Sequence, residues 1–174
     1  MRTGIRVAAV VALAAAMCSS VLAQDPKSQD AKAPGVLTAD QVKHIAPAAY
    51  FYRGQSASVQ TRNTTGVRTQ DQKYVLAGMV DTSGYASDIA QKYQGFFITE
   101  IKLDIGGSPL PPGEYGFGFT NDKFLITDVG ANEILSVAFQ TDNELKRPVP
   151  LKMTEDNGAY RLYAGKKWVA VKAQ

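Results

Sequence analysis

Few residues in this chain have the chemistry for catalysis or metal binding. His44 is the single histidine and Cys18 the single cysteine. A Ser-His-Asp arrangement would need His44 as its base. Its neighbours Val42-Lys43 and Ile45-Ala46 instead place it in an ordinary helical stretch, with no nucleophile beside it. One histidine and one cysteine also fall short of the usual zinc ligand sets. Asp142-Asn143-Glu144 and Glu155-Asp156-Asn157 are rich in oxygen, but neither has the spaced ligands and central glycine of a calcium loop. The expectation is no metal and no cofactor. The sharpest carboxylate is Asp81, in Asp81-Thr82-Ser83-Gly84 after the apolar run Val75 to Val80. Beside a second carboxylate it would share a proton, giving one acid and one base. Alone, the same four residues are common turn formers after a strand.

Aromatic residues supply a second kind of chemistry, ligand stacking. The chain has 8 Tyr, 7 Phe and 1 Trp. Tyr115, Phe117, Phe119 and Phe124 fall close together, and Gly116 and Gly118 alternate with the first three. Glycines on one side of a strand let another layer or a ligand come close. Tyr115, Phe117, Phe119 and Trp168 are therefore candidate ligand-binding residues, lining an apolar cavity or a sugar-stacking surface. The competing expectation is that they form the core of a sandwich, the usual meaning of apolar alternation in a sheet.

The elements that would position these groups are mostly strands. From Ala49 onward, short aromatic and β-branched runs are cut by Gly, Asn, Asp and Pro. Ser58–Arg62 and Thr65–Thr69 read as a hairpin bending near Asn63-Thr64, which with Thr65 also matches a glycosylation sequon. Lys73–Asp81 is almost continuously apolar, the pattern of a strand buried on both faces. Phe97, Thr99, Ile101, Leu103 and Ile105 alternate with Ile98, Glu100, Lys102 and Asp104, predicting one half-buried strand with a charged outer face. Asn157-Gly158 is the strongest hairpin signal, because its turn needs positive φ at both residues. Two stretches read as short helices: Leu37–Ile45 with Thr38 or Asp40 as cap, and Ser87–Tyr93 with Ser87 or Asp88 as cap. The basic pairs Lys146-Arg147 and Lys166-Lys167 read as solvated turns.

Two local resemblances accompany this reading. Leu110-Pro111-Pro112-Gly113-Glu114-Tyr115, after Gly106-Gly107 and before alternating aromatics, resembles the L-P-x-G-x-Y segment of exported bacterial β-sandwich families of unknown function. The resemblance implies an all-β exported domain and no particular activity. Asp81-Thr82-Ser83-Gly84 resembles the active-site loop of retroviral-type aspartic proteases. That implies a hydrolase in which Asp81 meets its counterpart across a homodimer, since the chain carries one copy of the motif.

Residues 1–23 read as a secretory signal: Arg2 and Arg6, an apolar run from Val7 to Met17, then small residues, with cleavage expected between Ala23 and Gln24. The run is too short to span a bilayer. Ala15 and Met17 fit poorly with lipid attachment at Cys18. Of the 19 Lys and Arg residues, Arg2 and Arg6 leave with the signal, so 17 remain against 16 acids. That balance gives no case for nucleic acid as partner. Residues 24–48 read as a flexible tether with a short helix, and 49–174 as one β-rich domain. The expected fold is all-β, an antiparallel sandwich or flattened barrel with one short helix between Asp81 and Phe96. The expected function is a non-catalytic domain, secreted or periplasmic, that binds a small apolar ligand or an envelope partner, with no stable membrane span after cleavage. The rival expectations are the Asp81 hydrolase and a structural or interaction protein.

Overall fold

The computed structural model describes residues 33–174, so the expected signal and residues 24–32 of the expected tether lie outside the described residues. Among the described residues fourteen strands pair, all antiparallel. In chain order they are β1 (Gly35–Val36), β2 (Ala49–Tyr52), β3 (Gln55–Arg68), β4 (Tyr74–Val80), β5 (Gly95–Thr99), β6 (Leu103–Ile105), β7 (Ser108–Leu110), β8 (Gly113–Phe119), β9 (Lys123–Thr127), β10 (Glu133–Ala138), β11 (Gln140–Thr141), β12 (Val149–Asp156), β13 (Ala159–Gly165) and β14 (Lys167–Ala173). Two short helices interrupt them, α1 (Ala39–Ile45) and α2 (Ser87–Lys92). The larger sheet runs β1-β3-β4-β5-β8-β9-β10, with β2 also on β3. The smaller runs β12-β13-β14-β6-β7, with β11 also on β14. The fold is the expected all-β sandwich.

The larger sheet is a middle layer, which explains its apolar strands. Its inner face meets the smaller sheet through Phe97, Phe117, Phe124, Ile126 and Leu162, all fully buried. Its other face lies under α1, α2 and the β2–β3 hairpin, where Val42, Tyr52, Tyr93 and Phe96 form a second core. β4 touches both, so Val75 and Ala77 face one core while Leu76 and Val80 face the other. The glycines of β8 serve the second core. A Cβ on Gly116 would stand 2.7 Å from the Tyr52 ring and 3.0 Å from the Tyr93 ring. The close approach that Gly116 and Gly118 permit is taken up by the protein's own third layer.

Several local expectations change. The segment before Ala49 belongs to the domain: β1 pairs with β3, and Leu37 and Val42 are buried in the second core. Those two apolar side chains anchor a stretch whose flanks look like linker. Thr38 caps α1 with a reciprocal box, Gln41 N–H donating to Thr38 Oγ1 (3.3 Å) and Thr38 N–H to Gln41 Oε1 (2.8 Å). The capping residue of α2 is Ala86, without a side-chain hydrogen bond, rather than Ser87 or Asp88.

Residues 58–69 form no hairpin. β3 is one strand of 14 residues with a register shift between Val59 and Thr64. Asn63 and Thr64 spend their turn chemistry inside this bulge, Asn63 Nδ2 donating to Gln60 Oε1 (2.8 Å) and Thr64 Oγ1 to the Gln60 carbonyl (3.1 Å). The β2–β3 hairpin reaches across the larger sheet: the Tyr52 hydroxyl lies 3.0 Å from Thr127 Oγ1 on β9, and Arg53 N–H donates to the Val129 carbonyl.

The alternating run 97–105 is two strands in different sheets. β5 ends at Thr99, whose hydroxyl donates to the Ile101 carbonyl (2.6 Å) and accepts from Ile101 N–H (3.2 Å), and β6 begins at Leu103. The crossing keeps the phase of the alternation. Phe97, Thr99, Leu103 and Ile105 all remain buried while Glu100 and Lys102 stay exposed. Asn157 and Gly158 do form the β12–β13 turn, with φ of 50° and 79°.

The second core also sets an alkaline limit. Tyr50 and Tyr93 are buried, and among the described residues neither hydroxyl has a hydrogen-bond partner. Loss of water raises both pKa values well above the ordinary tyrosine value, and Glu114 beside Tyr50 and Tyr85 beside Tyr93 add to the rise. In the folded chain these groups keep protons that the unfolded chain loses near pH 10. Stability is therefore whole below about pH 10 and falls as pH rises towards the folded values. A tyrosinate absorbance titration should show these two phenols ionising only together with unfolding. A smooth titration of all eight tyrosines near pH 10, with the fold intact, would contradict this packing.

Candidate functional site

The catalytic and metal candidates lie apart: Asp81 and Asp142 in connecting segments, His44 in α1 and Asp156 at the end of β12. Asp81 is exposed just past the end of β4, and its Oδ1 accepts the Ser83 N–H at 3.0 Å. Hydrogen bonds from the Ser83 backbone and hydroxyl hold its carboxyl below the usual aspartate value. A shared-proton dyad needs one carboxyl pushed the other way. His44 is exposed in the last turn of α1. Asp142 accepts from Glu144 N–H (3.0 Å), Leu145 N–H (3.3 Å) and the Tyr163 hydroxyl (3.0 Å). Asp156 pairs with Arg161 at 2.7 Å. Among the described residues no three His, Cys, Asp or Glu groups stand together as a metal site. No helix there is long and apolar enough to cross a membrane.

The four aromatic candidates divide between two places. Tyr115, Phe117 and Phe119 point from β8 into the inter-sheet core. Phe117 lies 6.3 Å from Phe119, edge to face, and 5.7 Å from Phe124. The Tyr115 hydroxyl donates to the Pro111 carbonyl at 3.0 Å, tying β8 to the proline link before it. These three fill the sandwich and meet no common cavity with Trp168.

Trp168 alternates with buried Val169 on β14 and stands on the outer face of the smaller sheet. Among the described residues no third layer covers that face: both helices and the β2–β3 hairpin pack with the larger sheet. Trp168 is directly opposite Tyr163 on β13 and Gln140 on β11. The Arg161 guanidinium lies 4.3 Å from its ring centre, and Lys152 lies 5.6 Å from that of Tyr163. Arg161 is held in turn by Asp156. Beside Trp168 is a cleft of about 410 Å³, lined by Gly106, Gly107, Ala138, Gln140, Val169 and Ala170. It opens because β14 has two neighbours on this side, β11 near Trp168 and β6 from Val171 onward, with a gap between them. Positive φ at Gly106 (56°) and Gly107 (94°) makes the β6–β7 turn that walls this gap without a side chain.

A second concavity, about 630 Å³, lies between α2 and the β8–β9 turn. Lys92, Lys123 and Lys167 line it against one carboxylate, Glu133, with Gln91 and Ser136 among the polar groups. Lys167 is a strand residue, contrary to the expected solvated turn. Its ammonium donates to the Thr120 carbonyl at 3.1 Å and lies 4.6 Å from the Phe139 ring centre.

Sequence reasoning named Trp168 as a binding residue but none of the residues around it. Arg161 and Tyr163 are two apart, across a tight turn from Trp168, so hairpin pairing places all three on one face. Gly106, Gly107 and Gln140 come from remote segments and carry no such signal. Comparison with protein-family models, curated proteins and solved structures found no match.

Proposed function

We propose that this chain is an exported, non-catalytic domain that binds a saccharide chain, with Trp168 as the stacking platform. The observation that carries this reading is the outer face of the smaller sheet. There the chain's single tryptophan stands beside a cleft walled by Gly, Ala and Gln. Arg161 lies over one face of the indole; the other face suits the C–H side of a sugar ring, while the Gln140 amide and the turn's backbone groups suit its hydroxyls. Export rests on the signal-like residues 1–23. A small apolar ligand inside the sandwich has less support, because the inter-sheet aromatics are already packed on one another.

Amide and indole NMR signals followed during titration with a neutral tetrasaccharide such as cellotetraose test this directly. The expected result is a set of shifts confined to Trp168, Gly106, Gly107 and Gln140, and lost in Trp168→Ala. Shifts centred on the Asp81 turn, or none at millimolar sugar, would overturn it. Trp168→Ala should remain folded, since Trp168 is only partly buried, outside both cores.

A further inference from the structure

The groove between α2 and the β8–β9 turn has a one-sided charge. α2 brings Lys92, the start of β9 Lys123 and β14 Lys167, against the single carboxylate of Glu133 on β10. Asp122, in the adjoining turn, does not line it. Among the described residues Lys92, Lys123 and Glu133 have no ion-pair partner, so the protein leaves the excess of positive charge uncompensated. Lys167 is half-buried and already oriented by the Thr120 carbonyl and the Phe139 ring. An ammonium has three N–H donors, so the bond to Thr120 leaves others for a ligand. Its fixed position reduces the ordering cost that weakens most exposed ion pairs. The volume of about 630 Å³ falls within the usual range of small-molecule pockets, about 300–1,000 Å³.

The kind and placing of the cations select the anion. They stand on three separate elements rather than in a row on one. A phosphate group carries about 1.5 to 2 negative charges at neutral pH and three acceptor oxygens, so separate point donors can each take one. A carboxylate has two oxygens in one plane and is matched best by the fork of an arginine, which the groove lacks. The Gln91 and Asn121 amides and the Ser136 hydroxyl, also in the groove, suit polar groups beside the phosphate. From these observations we infer that the groove is a second binding site, which takes the phosphate group of a small phosphorylated molecule between Lys92, Lys123 and Lys167. It is separate from the saccharide cleft, because Lys167 and Trp168 are consecutive on β14 and their side chains point to opposite faces of the sheet.

Calorimetric titration of the chain with glycerol 3-phosphate and with succinate, a dicarboxylate of similar charge, tests it. The phosphate should bind about tenfold tighter than succinate at low salt, and more weakly as salt screens the lysines. Lys92→Ala with Lys123→Ala should weaken it about three- to tenfold, and Glu133→Gln should tighten it about two- to threefold. All three residues are exposed, so these variants keep their fold, and a tightening is not something that damage to the fold would produce. Lys167→Gln should weaken binding. Competition by phosphatidylcholine vesicles carrying phosphatidic acid would identify a lipid headgroup as the source of the phosphate, and no competition a soluble phosphate ester. Succinate bound as tightly as the phosphate, an affinity indifferent to the lysines and Glu133, or no phosphate binding at millimolar concentration would overturn the inference. None of these results bears on Trp168, so the saccharide reading stands or falls by its own titration.

Discussion

Phe117→Ala is expected to lower the unfolding free energy by about 3–5 kcal/mol, the usual cost of removing a fully buried phenyl ring. Phe117 is 0% exposed at the centre of the inter-sheet core. Its ring touches Phe119 and Phe124 and covers Gly95 on the neighbouring strand, where an added Cβ would come within 2.6 Å of it. Deletion leaves a hole bordered by glycine, which has no side chain to fill it. Collapse around the hole would have to move β5 or β9, both held by their ladders. Domains of this size have about 5–15 kcal/mol in total, so the loss takes a large share. Urea unfolding followed by circular dichroism would show it as a lowered midpoint at unchanged slope. A loss below about 1 kcal/mol would mean that Phe117 is not the packed centre, since such losses mark peripheral sites.

The second large effect comes from adding one methyl group. Gly118→Ala would direct a Cβ into the Lys92 carbonyl at the end of α2. Backbone cannot rotate aside as a side chain can. The clash displaces α2 and with it Tyr93, which stacks on Tyr52 at 3.8 Å between ring centres. Overpacking of this kind costs about 1–3 kcal/mol. Gly84→Ala is the control, because nothing lies within 4 Å of a Cβ there, and a change within about 0.5 kcal/mol is expected. Equal effects at the two positions would show that α2 does not rest on β8.

The fold class was legible because period-two alternation follows from the pleat itself and survives errors in strand boundaries. The 97–105 run illustrates this: the strand breaks at Thr99 and changes sheet, yet the greasy side stays inward because the crossing preserves phase. What failed was punctuation. Asn63-Thr64 looks like a turn and is a bulge, since turn-forming side chains bond their own backbone equally well in either setting. Gly116 and Gly118 announced a close approach, but one sequence does not say whether ligand or protein makes it. Here the visitors are Tyr52 and the end of α2, from 64 and 26 residues away in numbering. Of the residues around the cleft, the sequence reading names one as a binding residue, Trp168. Its cleft depends on β6 and β11 meeting the same strand, a pairing over long sequence separations that local pattern does not encode.

The binding claim has a built-in reporter, because Trp168 is the only tryptophan. Its emission, excited selectively, reads the cleft with no background from the core. On titration with cellotetraose the account predicts a saturable blue shift. An emission spectrum unmoved by the sugar at millimolar concentration would contradict it.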